Sequence, residues 1–345
     1  LTAAGAYQDA WLSGIVAMGF SALIVYIIGK LAEAFPGKSI VIYSQELLGG
    51  VVGRVVSLAY LGLFLFMAGT ELRIYGEVIK IGFLPETPIS VVTGAMVVLA
   101  AVVVYAGLEP LGRTADIIFP VFLLMFVANI LFPLPQAEFQ NLQPVLFGGW
   151  MPVIKGAITP VAITAQYANL AMIVPSVEEP HKATRFALLS ILFSSLVMVV
   201  FAVLVVSVLG ADEGARAAFP MFKMIRAVRA SEFLERVEPL TIFAWGLGLF
   251  ISLSLNLYSG SRGLSELLGM KENRPLILPM SVIWVTFALQ GYRDFFEIRQ
   301  FFTPAVIGPF IFFVLLFPVA LLWAAYLLRK VFKENRTGGG ERAAK

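Results

Sequence analysis

Nine stretches of this chain are each apolar enough and long enough to cross a bilayer as a helix, and that property rules out most folds open to 345 residues. A hydrocarbon core about 30 Å thick needs roughly 20 apolar residues in helical form. Runs of that order occupy residues 11–29, 55–72, 88–107, 115–134, 152–174, 185–209, 240–259, 275–290 and 301–328. Lipid offers no partner to a bare N–H or C=O, so a spanning segment closes its own hydrogen bonds as a helix or joins a closed barrel. Barrel strands alternate apolar and polar residues over short segments, whereas these runs are long and uniformly apolar. With 59% apolar and 14% charged residues and a mean hydropathy of +0.88, the chain reads as an all-α polytopic membrane helix bundle of nine spans.

The basic residues set an orientation. With residue 1 outside, the inner connections hold Lys30, Lys38, Arg54, Arg113, Lys182, Arg185, Arg262, Lys271 and Arg274, and the tail adds more. That is the excess expected on the cytoplasmic side. Cysteine is absent, which removes disulfides and thiolate metal sites. The single His181, in EEPHKATR, reads as a solvated loop residue. No paired-histidine zinc motif, phosphate loop or nucleophile elbow occurs, so neither an enzyme nor a metal or cofactor is expected. Basic loops account for the net charge of +3, and no nucleic-acid partner is implied.

The polar stretch 135–151 divides the chain, with four spans before it and five after. Secondary transporters are commonly two inverted halves, each opening on a discontinuous helix. On that 5+5 plan residues 1–134 are the remainder of a first repeat whose opening helix is missing from this chain. Residues 152–332 are the second repeat, and 333–345 form a solvated, disordered cytoplasmic tail.

An apolar protein carries an unexpected cluster of charge in FPMFKMIRAVRASEFLERVEPL, residues 219–240. Lys223, Arg226 and Arg229 recur at helical spacing beside a stripe of Phe222, Ile225 and Val228. Ser231 is placed to cap a second segment in which Phe233, Val237 and Leu240 share a face and Glu232 precedes Arg236 by one turn. Residues 219–239 are thus expected to lie at the interface as an amphipathic helix, charges toward water or headgroups. Two readings follow: a packing element over the outer mouth, or a gate or partner-docking surface formed by Glu232, Glu235, Arg236 and Glu238.

The fifth run, MPVIKGAITPVAITAQYANLAMIVPSV, is the least regular. Pro160 cannot donate to residue 156 and restricts Thr159, and Gly156 adds freedom at the same point. The expectation is an unwound patch near Pro160, followed by the polar set Thr159, Thr164, Gln166, Tyr167 and Asn169. Irregular backbone at membrane depth is buried in protein or lines a cavity, and the ends of half-helices suit a small zwitterion. An ordinary proline kink with interhelical hydrogen bonds is the competing reading. In the seventh run Ser252, Asn256 and Ser259 share an inward polar face. The second run ends with Glu71, Arg73, Glu77 and Lys80, either a functional group within a span or paired charges at the outer surface.

One resemblance bears on all of this. Phe219, Pro220, Phe233, Leu234, Glu235, Arg236, Glu238 and Trp245, with YQDAW at 7–11 and PVIKGAITP at 152–160, resemble the spore germination permease-like family. These are the B subunits of nutrient-germinant receptors, within the amino acid, polyamine and organocation transporter superfamily. The resemblance implies ten spans, the first lacking here, with a broken sixth span and an eighth that touches ligand. It also implies a larger membrane A subunit and a lipoprotein C subunit as partners, in the spore inner membrane. Some proton-coupled members of the superfamily carry a lysine in the fifth span; here that span has Asp116 and Asn129 and no lysine. The chain is therefore expected to bind a small amino-acid-like nutrient through Thr159, Thr164, Gln166, Tyr167, Asn169, Ser252 and Asn256 and to signal to its partners. Secondary active transport of amino acids or polyamines is the alternative, and a degenerate structural subunit a third possibility.

Overall fold

In the computed structural model, which describes residues 6–217, 219–227 and 238–342, the apolar runs become helices whose ends differ from those of the runs. The first is α1, Ala10–Ala34, led in by a 3-10 turn at Tyr7–Asp9. A short helix not foreseen from the sequence, α2 at Ile40–Leu48, buries Ile40, Tyr43, Ser44 and Leu47 at helical spacing and turns into α3, Gly50–Gly82. Spans α4, Ile89–Ala106, and α5, Leu108–Leu131, meet at Gly107, whose φ of 116° is closed to residues with a side chain. Then come α6, Trp150–Ile163, and the short α7, Leu170–Ile173, joined by a 3-10 stretch at Thr164–Asn169. Helix α8 is Pro180–Leu209, followed outside the span by α9, Ala211–Arg216, and α10, Pro220–Ala227. The chain continues with α11, Glu238–Leu267, α12, Arg274–Gln290, and α13, Phe295–Phe301. It ends on α14, Pro304–Ile311, a π turn at Phe312–Leu316, and α15, Phe317–Arg342.

Eight of these segments are long and apolar enough to cross a membrane; α12 and α13, bent by 98° at their junction, make a ninth if the pair is one span. No strand occurs among the described residues, and the chain is a multi-pass, all-α membrane protein. Two differences from the sequence reading stand out. The amphipathic helix expected over 219–239 is seen only as α10, because Glu232, Glu235 and Arg236 lie outside the described residues and Glu238 begins α11. The last helix runs to Arg342, past the tail boundary expected at 333.

The helices sort into two packing groups. In one, α1 lies along α8 and against α6. Contact there is close: a β-carbon at Gly29 would sit 2.4 Å from Thr184 Cγ2, and one at Gly14 would sit 2.8 Å from Val199 Cγ2. In the other, α11 packs on α3, α4 and α5, and α12 on α3 and α4. Two apolar cores run through the bundle: one joins Leu31 of α1 and Tyr43 of α2 to Tyr60 and Phe64 of α3 and Ile307 of α14, and the other joins Leu72 of α3 to Leu249, Leu253 and Leu257 of α11 and Trp284 of α12. The 3-10 stretch Thr164–Asn169 touches both groups, through α1 and α8 on one side and α3 and α11 on the other.

Candidate functional site

Helix α6 passes through Pro160 without unwinding, contrary to the break expected there. Proline at this position removes a single i to i−4 bond, and the surrounding turns keep the helix intact. Thr159 is buried and donates to the carbonyl of Phe302 at 2.9 Å, so its hydroxyl ties α6 to the end of α13. The irregularity comes one turn later, where the backbone tightens at Thr164–Asn169 and again at Val174–Ser176. Tightening to a 3-10 turn changes which side chains face together while keeping most backbone bonds.

That tightened stretch brings its own polar residues together with those of α3 and α11. Gln166 Nε2 donates to Glu71 Oε1. Ser252 Oγ lies 2.8 Å from Glu71 Oε2 and 2.8 Å from Gln166 Oε1. Asn169 Nδ2 donates to the Gln166 carbonyl at 2.8 Å and to Asn256 Oδ1 at 3.0 Å, and Asn256 Nδ2 donates to the Ser252 carbonyl at 3.0 Å. Five side chains from α3, the 3-10 stretch and α11 thus form one bonded knot between the two packing groups. Asn169 and Asn256 are buried within it, and Glu71 and Gln166 are half-buried.

A cavity of about 610 Å³ opens beside the knot, lined by Phe122, Phe126, Thr164, Gln166, Tyr167 and Trp245 among others. That volume falls in the range usual for small-molecule sites, which are mostly apolar with a few placed polar groups. Thr164 Oγ1 donates to the Val161 carbonyl at 2.9 Å, which leaves Ser21 to donate to it across 2.6 Å. The Tyr167 hydroxyl lies 3.2 Å from Ser194 Oγ, whose own proton goes to the Ile191 carbonyl. Of the expected set, Gln166, Asn169, Ser252 and Asn256 join in the knot, Thr164 and Tyr167 share the cavity wall with Gln166, and Thr159 stands apart. Ser259 is buried on the same face of α11, and its hydroxyl has no partner among the described residues.

Glu71 is the residue the sequence reading left divided, with surface pairing favoured. The structure moves it inward: its partners are Gln166 and Ser252, and no lysine or arginine among the described residues pairs with it. The ion pair expected between Arg73 and Glu77 does form, at 2.8 Å, yet inside the protein, with 7% and 13% of the two side chains exposed. The inward face of α3 was legible in the spacing of Phe64, Ala68 and Leu72, all buried. Glu71, three residues after Ala68, belongs to that stripe. Elsewhere Asn129 of α5 accepts from the Thr241 hydroxyl and joins α5 to α11. His181 is 70% exposed, solvated as expected, but it stands in the first turn of α8 and not in a loop.

The spore germination protein family matches residues 1–296. Among curated proteins the chain is similar to spore germination protein KB of Bacillus subtilis strain 168, 25% identical over 343 residues, covering 98% of this chain and 91% of that protein. It is similar also to spore germination protein YndE of the same strain, 23% identical, covering 80% and 77% of the two chains. Spore germination protein GerQB of Bacillus cereus is 24% identical, over 81% of this chain and 76% of its own. With more than half of its length matched, this multi-pass membrane protein belongs to the spore germination protein family.

Proposed function

We propose that the chain is the nutrient-sensing B-type subunit of a spore germinant receptor, holding a small amino-acid-like germinant in the cavity beside the 3-10 stretch Thr164–Asn169. One observation carries this reading. Gln166 and Asn169 of the 3-10 stretch and Ser252 and Asn256 of α11, expected at a site from their polarity and from the family resemblance, are hydrogen-bonded in one network, and Gln166 also lines an apolar cavity of about 610 Å³. A purely structural polar network needs no such cavity. Sensing requires that the germinant bind one arrangement of the two packing groups better than another, because equal affinity shifts no equilibrium. The knot spans both groups, so a guest that rearranges it biases how they sit together. The occupied state is passed to a larger membrane A subunit and a lipoprotein C subunit in the spore inner membrane, as the family relationship implies.

Replacing Asn169 by Leu removes two donors and an acceptor from the knot. The half-maximal nutrient concentration for germination is expected to rise about tenfold or more with the amount of protein unchanged by immunoblot. An unaltered dose response would remove Asn169 from the site. Transport of amino acids or polyamines is favoured by one feature, the position of the knot on the seam between two groups that could rock about it. Purified protein in proteoliposomes distinguishes the readings. Saturable uptake of labelled amino acid by this chain alone makes it a carrier, and binding without uptake makes it a sensor.

A further inference from the structure

We propose that Glu71 is the group that receives the positive charge of the germinant, and hence that effective germinants carry a primary ammonium; this rests on the cavity reading above. The argument is a count of donors and charges. Within the knot Ser252 has a single hydroxyl proton and two acceptors at 2.8 Å, Glu71 Oε2 and Gln166 Oε1. Asn169 Oδ1 is buried and has no hydrogen-bond partner. The knot is therefore short of donors on three residues at once, Glu71, Gln166 and Asn169. An ammonium group brings three donors and no acceptor.

The charge balance points the same way. An ionised carboxylate inside a membrane bundle needs a cation close by. Among the described residues, the basic groups of α3, α6, α11 and α12 are placed elsewhere, Arg54 of α3 being exposed. Arg73 is held by Glu77 and by the carbonyls of Ala288, Leu289 and Arg293. Arg262 pairs with Glu266, Arg274 lies over the Tyr105 ring, and Lys80 and Lys155 are exposed. Glu71 is half-buried and one hydrogen bond from Gln166, which lines the cavity. An ammonium entering along that wall takes over the donor role that Gln166 Nε2 fills toward Glu71. The Gln166 amide is then free to turn, and it sits in the middle of the 3-10 stretch. The residue that reads the charge thus also moves the backbone that joins the two packing groups.

The test uses spores in which this chain and its partner subunits form the sole receptor. The twenty standard L-amino acids are applied first; each active one is then applied as its N-acetyl derivative, which lacks the positive charge, and as its methyl ester, which keeps it. The ester is expected to act and the N-acetyl compound to fail. Glu71→Gln, whose amide preserves the shape and keeps one oxygen to accept from Gln166 or Ser252, is expected to raise the half-maximal concentration roughly tenfold to a hundredfold, the range of a charge-assisted hydrogen bond. Glu71→Asp should recover part of the response. N-acetyl derivatives as active as their parents, or an unchanged half-maximal concentration in Glu71→Gln, overturn the assignment. So does an N-acetyl compound that acts only with Na⁺ or K⁺ present and fails in Glu71→Gln, because an alkali ion would then occupy the carboxylate. If a neutral sugar such as glucose drives the wild type and Asn169→Leu blunts it while Glu71→Gln does not, the cavity reading stands and the ammonium assignment falls. If no amino acid, derivative or sugar acts on the wild type, both fall.

Discussion

Two glutamates of α3 sit in opposite circumstances. Glu77 accepts from Arg73 Nε at 2.9 Å and Nη2 at 2.8 Å, and the same guanidinium reaches the carbonyls of Ala288, Leu289 and Arg293 at 3.0–3.2 Å. That region balances its charge internally and seals the open C-terminal carbonyls where α12 bends into α13. Thr70 reinforces it through the Tyr292 hydroxyl, 2.7 Å away. Glu71, a turn and a half nearer the N-terminus, has only neutral partners, one of which, Gln166, lines a cavity. The difference teaches how to tell a charge that holds a membrane protein together from one kept for a guest. The first has its counter-charge within the protein, and the second has hydrogen-bond donors but no cation among the described residues.

The largest effect expected from this contrast falls on the sealed region. Arg73→Gln leaves Glu77 buried without a cation and three carbonyls without donors, a loss on the order of 3–5 kcal/mol. A steep drop in melting temperature and in membrane-inserted protein should follow, and a variant as stable as wild type would show that the pair is not structural. Glu77→Gln is milder, about 1–3 kcal/mol, because Arg73 retains its carbonyl acceptors. A double-mutant cycle between the two positions should return a coupling of about 1 kcal/mol or more. Additivity of the single losses would remove the interaction from the account. Neither Glu77→Gln nor Thr70→Val, the latter at about 1 kcal/mol for a lost buried hydroxyl bond, should alter which germinants are effective. A changed germinant profile in either would break the division between the two regions.

How far the sequence led depends on which physical signal each feature carries. The spans were legible because hydropathy over some twenty residues is a strong, local signal. Helix α2 was not, since its nine residues are too few to suggest a span and its apolar positions are interrupted by Ser44, Gln45 and Glu46. The irregular segment was found for an incomplete reason: Gly156 and Pro160 drew attention to it, but the backbone departs from α geometry at Thr164–Asn169, where no proline stands. There Gln166 and Asn169 draw side-chain partners from α3 and α11, a tertiary effect that no window of sequence contains. The stripe of Ser252, Asn256 and Ser259 could be read, since helical spacing alone places them on one face. Glu71 could not be separated from Glu77 by spacing to basic residues, because both have Arg73 nearby in sequence and only packing decides which one it meets.

The smallest expected effect on stability is the most informative. Glu71→Gln removes no cation contact and leaves an oxygen that can accept from Gln166 Nε2 or Ser252, so the melting temperature of the purified protein should change by less than the equivalent of about 1 kcal/mol, in either direction. A hydrophobic replacement, Glu71→Leu, strips the acceptors and orphans the Gln166 amide, and should fall below Glu71→Gln by about 1–3 kcal/mol. The two variants separate shape and hydrogen bonding from charge. If Glu71→Gln proves as damaging as Arg73→Gln, the carboxylate has a structural counter-charge after all, and the contrast between the two halves of α3 dissolves. If it is silent in melting yet deaf to germinant, stability and response part at one residue, as expected of a charge kept for a guest.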